Sequence, residues 1–160
     1  MSKFTNYKYS IQEAFEQCYY VVPDYQREYI WGEKQIIQLL DDINDERDDN
    51  KLSEYFVGTV IVSPTDAKHI DVIDGQQRLT TFFLILVAIK ARLEDNESKS
   101  ISPLIYSSYI DLNGRARSNL RLEPQYEGAS EIVKMIVEIN SSPIEVEKVV
   151  EAAGIKVYGS

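Results

Sequence analysis

The sequence predicts an α+β domain with a small mixed or antiparallel sheet and one buried helix, and three observations carry that expectation. Apolar residues switch along the chain between the two-residue period of strands and the longer period of helices. Asn113-Gly114 lies between two strand-like runs, the strongest short hairpin signal. With 44% apolar and 27% charged residues among 160, the chain can bury one core.

The elements follow in order. "SIQE" at 10–13 is a capping box, and Ile11, Ala14, Phe15 and Cys18 continue it at helical spacing, which makes Cys18 a small core residue. "YYVV" at 19–22 reads as a strand running into Pro23. After Gly32 a helix places Ile36, Leu39, Leu40 and Ile43 on one face, and the acidic run "DDINDERDD" is its solvated end. "YFVGTVIV" at 55–62 and "HIDVID" at 69–74 read as antiparallel strands about a turn containing Pro64 and Asp66.

Gly75 then opens a helix to about Leu93, with Leu79, Phe82, Phe83, Leu86 and Ile89 on its buried side. "EDNESKS" reads as a polar linker, and strands are expected near 104–111 and 116–122 around Asn113-Gly114. Ser142-Pro143 with Glu145 looks like another capped helix start, with Gly154 as its stop. The expected organisation is a core over 1–95 and a hairpin and helical extension of the same domain over 96–160. The apolar stretch from 131 onward suggests a piece of a longer protein.

A net charge of −9 opposes non-specific affinity for a phosphate backbone, so any DNA contact must be local, with Arg115, Arg117 and Arg121 the densest basic group. One cysteine excludes an internal disulfide and a thiolate metal cage, which fits a reducing compartment. The N-terminus lacks the apolar core of a signal peptide, and the run Phe82 to Ile89 is far short of the roughly 20 residues that span a bilayer. A cytoplasmic protein with no membrane partner is expected. A single histidine, His69, excludes nuclease motifs that need two within this chain.

Two stretches carry chemistry. In "VIDGQQRLTT" at 72–81 a strand, a glycine turn and a helix start place free backbone N–H groups and the helix dipole where an anion can sit. Gly75 admits a phosphate to the backbone, Arg78 offers a forked charged contact, and Gln76 and Gln77 can orient a phosphate oxygen or an attacking water. Asp74 beside a phosphate calls for Mg²⁺ between them. Equally open is a structural role in which Asp74 caps the helix and Arg78 pairs with it.

The second stretch is "VPDYQREYIW" at 22–31. If extended, it aligns Tyr25, Arg27, Tyr29 and Trp31 on one face, with Gln26, Glu28 and Ile30 on the other. Tyr25 and Tyr29 are then candidates for stacking a base, with Arg27 on a phosphate. Trp31 reads more simply as a packing residue.

These two stretches, with "YFVGTVIV" and "LRLEP" at 120–124, resemble the GmrS-type N-terminal domains of the GmrSD family of modification-dependent restriction enzymes, and more distantly the ParB and sulfiredoxin superfamily. The resemblance implies a ParB/sulfiredoxin-like fold, binding and hydrolysis of an NTP (GTP or ATP) with Mg²⁺, and an HNH-type nuclease region downstream or in a separate subunit, acting on modified DNA. It places Gly75, Gln76, Gln77 and Arg78 at the phosphates, together with Gln26 and Arg27. Asp74 inherits metal binding or catalysis, and Gln77 shares the catalytic assignment. The same superfamily includes switches that bind nucleotide or DNA without turnover, the alternative function.

Overall fold

The computed structural model describes residues 5–48 and 55–138. In chain order the elements are α1 Ile11–Gln17, β1 Tyr19–Val22, α2 Glu33–Asp48, β2 Ile61–Pro64, β3 His69–Asp74, α3 Gln76–Lys90, α4 Asp95–Ile105, β4 Tyr106–Ile110, β5 Ala116–Leu120, β6 Leu122–Pro124 and α5 Ala129–Glu138. A four-stranded mixed sheet has the order β2-β3-β1-β6, and β4-β5 form a separate ribbon. Here β1 runs parallel to both neighbours, with Val21 opposite Asp71 and Glu123, whereas β2 and β3 are antiparallel. The expected α+β class with a small mixed sheet is what is found.

Residues explain the elements locally. Ser10 Oγ accepts from the Glu13 N–H at 3.2 Å and Glu13 Oε2 accepts from the Ser10 N–H at 2.8 Å, so the capping box starts α1. Tyr20 donates its hydroxyl to the Ala14 carbonyl at 3.1 Å, fastening β1 to α1. Phe15, Val22, Val72, Phe83, Ile105 and Leu122 are fully buried, and Phe15 meets Tyr20 and Phe83 ring to ring at 5.6 and 6.0 Å. Cys18 packs against this core, and burial pushes its thiol pKa up, against a nucleophilic role.

Three boundaries and one buried face differ from what the sequence predicts. Residues 55–60 are not strand, and β2 begins only at Ile61, with a register irregularity between Ile61 and Val62. α3 ends at Lys90, Ile89 faces solvent, and residues 91–93 turn. The expected linker is the first half of α4, a helix anchored at its far end by buried Leu104 and Ile105, which delays the hairpin to Tyr106. Leu40 is exposed, so α2 packs through a narrower stripe centred on Leu39. The helix start at Ser142 and its stop at Gly154 lie outside the described residues.

The hairpin forms around Gly114, whose φ is +73°, and Asp111 accepts from the Asn113 and Arg115 N–H groups at 2.9 Å each. Beyond β5 the chain leaves the ribbon. The Arg121 N–H bonds Ile105 O and its carbonyl receives the Tyr20 N–H, both at 2.8 Å, so β6 enters the main sheet beside β1. Among the described residues no helix is long and apolar enough to cross a membrane.

Candidate functional site

Because β1 and β3 are adjacent and parallel, the segments leaving their carboxyl ends emerge side by side. One is the loop after Val22, the other the turn through Gly75 into α3. The antiparallel β2, with Ile61 opposite Asp74, brings residues 55–60 to the same edge. In open sheets with parallel strands, ligands favour this end.

The α3 start is built for close approach. Gly75 is the N-cap with φ +85° and ψ 10°, and a Cβ there would stand 2.9 Å from the Thr59 carbonyl oxygen, so both backbone conformation and crowding require glycine. The first helical bond runs from the Leu79 N–H to Gly75 O at 3.0 Å. The N–H groups of Gln76, Gln77 and Arg78 have no acceptor among the described residues, and no side chain caps the helix. Asp74 Oδ1 accepts from the Gly75 N–H at 2.8 Å, one residue short of the helical N–H groups.

The open alternative, in which Asp74 caps α3 and pairs with Arg78, is not what is found. The cap is Gly75, and Arg78 lies against Gly58, whose φ is +109° and where a Cβ would be 2.8 Å from Arg78 Cζ. Among the described residues neither Arg27 nor Arg78 has a carboxylate partner.

Gln77 has a different use from the one its motif suggests. Its side chain is only 7% exposed, its Oε1 accepts from the Ile30 N–H and its Nε2 donates to Glu28 O, both at 2.8 Å. One lone pair on Oε1 and one N–H on Nε2 remain for a further partner, but the clamp and burial fix the direction in which they can act. The next turn repeats the stitch: Thr81 Oγ1 donates to Gln77 O at 2.8 Å, so Tyr29, 2.9 Å away, donates its hydroxyl to Thr81. Burial raises the Tyr29 pKa.

These stitches overturn the alternating face expected for 22–31. A hydrogen bond from the Gln26 N–H to Pro23 O at 3.0 Å makes residues 23–26 a turn, and Gln26 Nε2 holds Ile73 O at 3.0 Å. Tyr29 turns inward, and Tyr25, 69% exposed, stands outside the cleft, so neither stacking candidate lines it. Trp31 does, although the sequence reading favoured packing for it, and it also touches the core. Gly58 is a residue of the site that the sequence did not point to. A glycine inside an apparent strand is the signal that could have found it.

The result is a cleft of about 480 Å³ lined by Gln26, Arg27, Trp31 and residues 74–78. Two arginines and one aspartate are among its lining residues, beside the free N–H groups of the α3 start, so the lining is locally positive in an acidic chain. His69 is far along β3, its Nδ1 2.8 Å from Asp66 Oδ2 at the β2–β3 turn. On the hairpin, Arg117 Nε lies 3.0 Å from Asp111, and the Arg121 guanidinium sits 4.5 Å over the Tyr19 ring, so two of the three arginines considered for DNA already have partners. Residues 6–155 match the family model described as GmrSD restriction endonuclease, N-terminal domain, while no curated protein matches the chain.

Proposed function

Since the chain belongs to the family of GmrSD restriction endonuclease N-terminal domains, we propose that it binds a nucleoside triphosphate in the cleft at the α3 N-terminus and hydrolyses it to control a restriction nuclease. One observation carries this reading. Arg27 and Arg78, from segments far apart in sequence and without carboxylate partners among the described residues, line one cleft with the α3 start and its three unpaired N–H groups. Such a site suits phosphate oxygens.

Each residue then has a part. The N–H groups of Gln76 to Arg78 take phosphate oxygens, and Gly75 supplies the left-handed turn that presents them. Arg78 and Arg27 neutralise the charge that develops on the terminal phosphate. Gln76, whose side chain has no partner among the described residues, orients the attacking water. Gln77 positions Arg27 and Trp31 through its clamp on residues 28–30 rather than touching the ligand.

Mg²⁺ fits the donors present. Asp74 keeps one carboxylate oxygen unused by the protein, and no group of three acidic, His or Cys residues forms a cage among the described residues. An ion held by one carboxylate, phosphate oxygens and water is usual for Mg²⁺. When bound it would offset phosphate charge. In the full system the nuclease, HNH-type and either downstream or in a separate subunit, would act on modified DNA.

A second reading, nucleotide as a switch without turnover, is favoured by the commitment of Gln77 to backbone. Incubation of the purified chain with each NTP and Mg²⁺, following phosphate release, separates the two. Release at a rate that falls in Arg78→Ala supports hydrolysis. Saturable binding without release supports the switch, and absence of binding overturns both.

A further inference from the structure

A second cleft, of about 550 Å³, lies between α2 and residues 55–58 and shares Trp31 and Arg78 with the first. We propose that it is the nucleobase subsite of the same ligand, a proposal that rests on the phosphate reading above. The two clefts meet at Trp31 and Arg78, so a ligand with its phosphates in the first can extend its other end into this space. The volume is within the roughly 300–1,000 Å³ typical of small-molecule sites.

The lining is suited to a base. Trp31 and Tyr55 are partly buried, and Phe56 is 76% exposed, a large apolar ring left to solvent at the cleft. Aromatic faces hold nucleobases by stacking. Opposite them, Lys34, Gln38 and Asp42 recur at four-residue spacing and form one stripe along α2.

Gln38 Nε2 donates to Asp42 Oδ1 at 2.6 Å, which fixes both side chains and leaves the Gln38 carbonyl and the second Asp42 oxygen as acceptors. Lys34 adds a donor. A base edge carries both donors and acceptors, so this stripe can read it. Gly58 completes this junction: its bare backbone makes room for Arg78, which lines both spaces.

The test compares the four common NTPs with inorganic tripolyphosphate by calorimetric titration in Mg²⁺, using wild type, Phe56→Ala and Asp42→Ala. The best-bound NTP should exceed tripolyphosphate in affinity by about tenfold or more, and each variant should weaken that NTP by about fivefold to tenfold, leaving tripolyphosphate binding unchanged. Trp31 is the sole tryptophan, so its fluorescence should be quenched by the NTP and not by tripolyphosphate. Equal affinities for NTP and tripolyphosphate, or an NTP affinity untouched by both substitutions, would overturn the subsite. If tripolyphosphate and every NTP fail to bind, the phosphate reading itself is what fails, and the subsite with it.

Discussion

A single buried amide determines where the residues of the cleft stand. Gln77 accepts from Ile30 N–H and donates to Glu28 O, so Gln77→Ala leaves two backbone groups without partners and should destabilise the fold by about 1–3 kcal/mol. Nucleotide affinity should fall with it, because Arg27 and Trp31 lose their fixed positions; denaturant melts and titration check the pair. Gly75→Ala should cost about 1–3 kcal/mol, since φ is +85° and the added Cβ meets Thr59 O. Asp74→Asn can still accept from the Gly75 N–H, so its Tm should match wild type while Mg²⁺-dependent nucleotide binding weakens, as calorimetry with and without Mg²⁺ would register. Gly75 and Arg78 were legible from the strand-to-helix switch. The inward turn of Gln77 was not, because only tertiary packing decides which first-turn side chain is buried.

Three carboxylates hold the ends of elements, and each has its pKa lowered. Glu13 is lowered first by the Ser10 backbone N–H, Asp66 to about 2 by the Lys68 and His69 N–H groups, and Asp111 by the Arg115 N–H and then Arg117. A carboxylate with a folded pKa below its unfolded value contributes stability above the unfolded pKa and loses it as pH falls through the folded one. Tm should therefore be level near neutrality and fall as pH drops from about 4.5 towards 2, a slope that Asp66→Asn should reduce in melts followed by circular dichroism. The capping box and the Asn-Gly hairpin were visible in sequence because both are local. The helix α4 was not: its anchors, Ile101, Leu104 and Ile105, crowd its last turns, so the first half carries the composition of a linker. Residues 55–60 look like strand by propensity, yet at Gly58 and Thr59 they pack against Arg78 and Gly75 instead.

At the scale of the whole molecule, everything at the site depends on β1 lying parallel between β3 and β6. Pairing between distant parallel strands has no short-range signature, so no spacing in the chain shows that the loop after β1 and the turn after β3 share one end of the sheet. The resemblance to the GmrSD family supplied that expectation, and the cleft lining now gives it a geometric basis. Acidic charge makes a further statement: with −9 overall and Arg117 and Arg121 already engaged, the chain should bind unmodified duplex weakly, and tight salt-resistant shifts in a gel titration would contradict this. The most direct measurement is calorimetric titration of NTP and Mg²⁺ into wild type, Arg27→Ala, Arg78→Ala and the double variant. Convergence of the two guanidiniums on one phosphate chain predicts a loss of about tenfold or more in each single variant and a combined loss that departs from the sum in free energy. Wild-type affinity in Arg78→Ala would contradict it, and the glycine turn would then be a structural device alone.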